Sequence, residues 1–124
     1  MNRPLEDILQ VIAQTLVDKK GMNLLALDVR GVCGFTEAFV IAEGTVDRHV
    51  QALSSTVQER LKEMGIQPYR VEGEGVGDWI VLDYMEVIIH LFTPAMRDKY
   101  RLEELWKEGK CVPTPEVHIC AAER

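Results

Sequence analysis

The sequence predicts a single α/β domain in which a mixed sheet of about five strands is flanked by helices. Three observations predict it. Residues 4–20 and 46–64 carry apolar side chains at helical spacing. Several short runs rich in β-branched and aromatic residues read as strands. The resulting order, α-β-β-α-β-β-β-α, mixes the two element types along the chain, which points to helices packed on a sheet. A length of 124 residues is enough for one sizeable core, and the 47% apolar and 27% charged fractions are those of an ordinary globular chain.

The first helix is predicted over residues 4–20. Pro4 suits the first helical position. Leu5, Ile8, Leu9, Ile12 and Leu16 form one stripe, Lys19 and Lys20 oppose the negative end of the dipole, and Gly21 stops the helix. Leu24–Val29 is an apolar run too short for a helix and reads as a buried strand. Gly31-Val32-Cys33-Gly34 breaks the pattern, and Glu37–Ala42 is the second strand. Thr45 offers a hydroxyl cap to the long second helix, whose apolar face is Val46, Val50, Leu53, Val57, Leu61 and Met64. Gly65 ends that helix, and Tyr69–Glu72 makes a short strand after Pro68. Gly73, Gly75 and Gly77 form a flexible loop.

A hairpin follows, over Trp79–Asp83 and Val87–Phe92. A two-residue turn at Tyr84-Met85 would pair Trp79 with His90, Val81 with Ile88 and Asp83 with Glu86. Period-two alternation then puts Ile80, Leu82, Val87, Ile89 and Leu91 on a wholly apolar face. Trp79, Val81, Asp83, Glu86, Ile88 and His90 share the other, mixed face. Neither Tyr84 nor Met85 suits the positive φ that a tight hairpin turn demands, so the turn is either longer or strained. Thr93-Pro94 marks a third helix through about Lys107, with Leu102, Leu105 and Trp106 on one face. Residues 1–109 therefore make the domain, and residues 110–124, with Pro113 and Pro115, a flexible C-terminal tail.

The net charge is −6, and from Glu72 to Glu86 the chain holds five acids without one Lys or Arg. Such a surface repels nucleic-acid phosphate and suits a basic protein, so no direct nucleic-acid readout is expected. A solvated edge would explain the acids alone, but Trp79 among them is the residue type that anchors interfaces. Three cysteines, Cys33, Cys111 and Cys120, do not make a disulfide framework or a metal cluster. Spaced apolar residues with Glu6 and Asp7 do not make a secretory leader, and no apolar run would span a membrane, so a soluble cytoplasmic protein is expected. The Gly-rich stretch leads into a strand and carries acids, so it is no phosphate loop. No nucleophile stands beside a base. Composition and spacing thus support no enzyme, no cofactor and no metal.

Several pieces together resemble the ribosomal silencing factor family, also called Iojap-like or RsfS proteins. They are Leu27-Asp28-Val29, Phe39–Thr45 with Arg48-His49-Val50, Val71-Glu72-Gly73, Asp78–Asp83, Val87–His90, and Arg97, Tyr100, Leu102, Leu105 and Trp106. The resemblance covers about residues 5–107. It implies a nucleotidyltransferase-like fold lacking the catalytic motif, because the Gly pair and the closely spaced strand acids of the active version are missing here. It further implies binding to the large ribosomal subunit through ribosomal protein L fourteen, steric blockage of small-subunit joining, repression of translation, and a homodimer in the free state. Two positions depart from the family pattern: Tyr84-Met85 stands where Gly is usual, and Glu37 where Asp is common.

The expected partner-binding residues are Glu74, Asp78, Trp79, Asp83, His90, Arg97 and Tyr100. Each has a plainer explanation. His90 is a lone strand histidine that could simply be structural, and the acids could be solvated. Two rivals to a ribosome-binding protein are a nucleotidyltransferase-like enzyme, which would turn over nucleotide, and a regulatory domain acting through its own dimer.

Overall fold

A computed structural model describes residues 5–29, 36–100 and 110–111. The elements are α1 (Leu5–Asp18), β1 (Met22–Asp28), β2 (Ala38–Glu43), α2 (Asp47–Glu63), β3 (Arg70–Glu72), β4 (Trp79–Asp83), β5 (Val87–Phe92), α3 (Pro94–Tyr100) and β6 (Lys110–Cys111). The strands form one mixed sheet in the order β3-β4-β5-β2-β1-β6. Only β2 and β5 run parallel; the other neighbours are antiparallel. Five strands match the sequence expectation. The sixth is the two-residue β6, where Cys111 pairs with Leu27 and Lys110 with Asp28, in the stretch read from sequence as the start of the tail. Pro4, the 31–34 break and the helix beyond Tyr100 lie outside the described residues.

β2 is buried at every position, as a strand paired in the middle of the sheet requires. On one face of the sheet α1 and α2 pack over Leu24, Ala26, Val40, Ile80, Leu82, Ile89 and Leu91. The apolar stripe of α1 supplies Leu5, Ile8, Leu9, Ile12 and Leu16; that of α2 supplies Val50, Leu53, Val57 and Leu61. Arg60 links the helices through Asp18 at 2.8 Å. The other face carries Leu25, Leu27, Phe39, Ile41, Ile88 and Phe92, with Trp79, Val81 and Met96 half-buried against them.

Thr45 does not cap α2. The N-cap position belongs to Val46, which has no side-chain bond to offer. His49 compensates from within the first turn: its Nδ1 accepts the Thr45 N–H at 2.9 Å, and its Nε2–H donates to the Lys19 carbonyl at 2.8 Å. The ring thereby ties the start of α2 to the end of α1. The far end of α2 closes as expected on Gly65, whose φ of 81° lets Ile66 N–H return to the Leu61 carbonyl.

The hairpin closes one residue later than the sequence suggested. Tyr84 N–H donates to the Val87 carbonyl at 2.9 Å, leaving Met85 and Glu86 as the turn. Trp79 therefore pairs with Phe92, Val81 with His90 and Asp83 with Ile88. That is a slip of two positions along β5, and an even slip leaves every side chain on its predicted face. Met85 takes the left-handed conformation at φ 70°, and the Asp83 carboxylate accepts its N–H at 2.8 Å. An Asx turn thus replaces the missing glycine. The glycine loop before β4 is also tighter than expected, since Gly77 N–H donates across it to the Gly73 carbonyl at 2.9 Å.

Candidate partner-binding surface

Trp79 opens β4 on the sheet face opposite α1 and α2, and it stays half-buried. The pairings of β4, β5 and β2 bring three further rings to that face. Trp79 packs on Phe92 with centroids 5.1 Å apart, and His90 lies parallel to Phe92 at 6.0 Å and tilted to Phe39 at 5.7 Å. The indole Nε1–H donates to His90 Nδ1 at 3.1 Å. An indole nitrogen can only donate, so His90 Nδ1 must be unprotonated and the neutral ring carries its hydrogen on Nε2.

Burial holds the His90 imidazole down at about 4, against 6.5 for a free histidine side chain. The unfolded chain takes up this proton as pH falls through the ordinary histidine range; the folded chain does not until about 4. Between those values the unfolded state binds more protons, so stability should fall as pH falls, by roughly 1 kcal/mol per pH unit. Denaturant titrations between neutral pH and about pH 5 check this, and His90→Asn should flatten the slope.

The acids divide into two groups. Glu74 and Asp78 lie at the Trp79 end of β4. Glu74 is exposed and its carboxylate accepts from Gln58 Nε2 at 3.1 Å, while its carbonyl accepts from Gln51 at 3.0 Å. Asp78 is half-buried, and its carbonyl takes the Thr93 N–H at 3.0 Å. Asp83 stands at the other end of the strand, about 13 Å from Trp79 at the usual rise per residue. There it is the backbone register partner of Arg70 on the neighbouring β3 and lines a shallow recess with Arg70, Glu72 and Val81. Arg70 also reaches Glu72 at 3.2 Å, so a cation lies inside the stretch of the surface that looked purely acidic.

Arg97 is not presented outward. It is 9% exposed, its Nη1 lies 3.2 Å from the Glu43 carboxylate, and the same group donates to the Asn23 carbonyl. Its guanidinium is engaged in fastening α3 to β1 and β2. Tyr100 ends α3, and its side chain lies outside the described residues. Sequence reasoning missed Phe39 and Phe92 as the backing of Trp79, and Glu43 as the partner of Arg97. A signal existed for Glu43, a lone acid closing an otherwise apolar strand.

The fold is a single α/β domain with a mixed sheet, helices α1 and α2 on one face and an aromatic cluster on the other. The family model described as ribosomal silencing factor during starvation matches residues 2–124, past the stretch that carried the resemblance. A ribosomal silencing factor RsfS of Chromobacterium violaceum is 33% identical over 102 residues, covering 82% of this chain and 84% of that protein. One of Bacillus subtilis is 34% identical over 104 residues, covering 84% and 88%. A crystal structure of a Chromobacterium violaceum protein superposes with a TM-score of 0.83 at 30% identity, covering 98% of this chain and all of that one. The chain belongs to the ribosomal silencing factor family.

Proposed function

We propose that this protein binds the large ribosomal subunit through ribosomal protein L fourteen, blocks joining of the small subunit and so represses translation when nutrients are scarce, without catalysing a reaction. The observation that carries the reading is the partly exposed Trp79, backed by Phe92 and His90, with Asp78 next to it in the chain and Asp83 on the same face of the strand. Ribosomal proteins are basic, so acids around an aromatic anchor complement them, speeding encounter and fixing orientation. Membership of the family supports the ribosome as the target. Trp79 and Asp78 form the centre of the contact and Asp83 its edge, while Glu74 is tied to Gln51 and Gln58 of α2. His90 and Arg97 stand behind it.

The test is to mix the purified protein with separated subunits and follow the joined ribosome by sedimentation. The protein should reduce joining and travel with the large subunit. Trp79→Ala should weaken that binding by about 2 kcal/mol or more, roughly thirty-fold, with the fold intact. Undiminished binding by a folded Trp79→Ala chain removes Trp79 from the contact.

A further inference from the structure

Resting on the reading of Trp79 as the anchor, we propose that His90 is a positioning residue that fixes the indole for the ribosomal partner without touching that partner itself. Three observations carry it. The Trp79 Nε1–H is already committed to His90 Nδ1 at 3.1 Å, so the indole meets a partner with its ring and not with its donor. The His90 ring is itself held, parallel to Phe92 at 6.0 Å and against Phe39 at 5.7 Å. A ring packed against two others can orient a neighbour, whereas a solvated one would turn with it. Third, Val81 and not Trp79 is the residue paired directly with His90, so the contact between the two side chains runs diagonally and is made by the hydrogen bond as well as by the sheet.

An indole free to leave its rotamer must be reordered when it binds, and that entropy subtracts from affinity. Removing the acceptor should therefore weaken binding while Trp79 remains in place. Asn places its Oδ1 near the position of the histidine Nδ1 and can accept the same bond.

Large-subunit binding is measured for the parent chain, His90→Leu, His90→Asn and Trp79→Ala, with circular dichroism to confirm folding. Nitrogen-15 spectra of the parent report the His90 tautomer and the Trp79 indole signal, which Trp79→Ala identifies. The expected result is a parent His90 bare at Nδ1, a Leu variant about ten-fold weaker, and an Asn variant within about two-fold of the parent. A parent ring protonated at Nδ1 overturns the proposal and needs no variant to fold. So does a folded Leu variant that binds as the parent does while Trp79→Ala fails, or an Asn variant no better than Leu. If Trp79→Ala binds unchanged, the anchor reading itself falls, and the indole signal separates that failure from one of positioning.

Discussion

Replacing Arg97 by alanine should cost about 3–5 kcal/mol of folding stability, the penalty for leaving a buried charge without its counter-ion. Glu43 is 8% exposed and Arg97 9%, and they meet at 3.2 Å between the end of β2 and the first turns of α3. Without the guanidinium, the Glu43 carboxylate keeps one side-chain donor, the Asn23 amide at 3.2 Å. The Asn23 carbonyl would lose its own donor as well. Asn23 is tied into this arrangement by its backbone, since it sits at φ 51° in the irregularity between Met22 and Leu25 of β1. The contrasting experiment replaces both partners. Arg97→Met with Glu43→Leu removes the charges together and should recover most of the loss, because an apolar pair avoids the desolvation that the ion pair must offset. Urea unfolding of the single and double variants measures both. A single variant within about 1 kcal/mol of the parent would show that the pair contributes no more than a surface one.

The second large effect is expected at Gly73. A Cβ there would lie 2.1 Å from the Trp79 carbonyl oxygen, and the residue sits at φ 89°. The left-handed backbone alone costs a non-glycine residue about 1–3 kcal/mol. Displacing the start of β4 to admit a methyl group adds roughly 1–3 kcal/mol more. Gly73→Ala should therefore lower the urea midpoint sharply and shift the emission of Trp79. Gly75 is the control. A Cβ there meets nothing within 4 Å and its φ is not positive, so Gly75→Ala should leave stability unchanged or raise it by about 0.4–1 kcal/mol.

The contrast between these two glycines was not legible in the sequence, where both belonged to one flexible loop. Side-chain alternation was legible: Ile80, Leu82 and Leu91 went to the core and Trp79, Val81 and His90 to the other face, because that assignment depends only on parity. The register was not, because it depends on which residues close the turn, and Asp83 supplies by its side chain what a glycine would have supplied by its backbone. The backing of Trp79 was hidden for a different reason. Phe39 reaches His90 only because β2 lies beside β5, a pairing between strands distant in sequence that no local pattern announces. Arg97 was expected at the partner-binding surface; its buried counter-ion Glu43 is remote in sequence, so no local pattern pointed to the pair.

The parallel pairing of β2 with β5 also dictates a sequence of events. Ala38 meets Val87 only after α2, β3 and β4 have been made, so the centre of the sheet is among the last parts of the chain to become available during synthesis. A growing chain that has not yet delivered β5 leaves Phe39 and Ile41 without the strand that should lie beside them. Closing so long a loop is entropically unfavourable until many contacts form together. Chains halted before Val87 should therefore be more prone to aggregate than chains that include β5, which comparing the solubility of the two lengths would check.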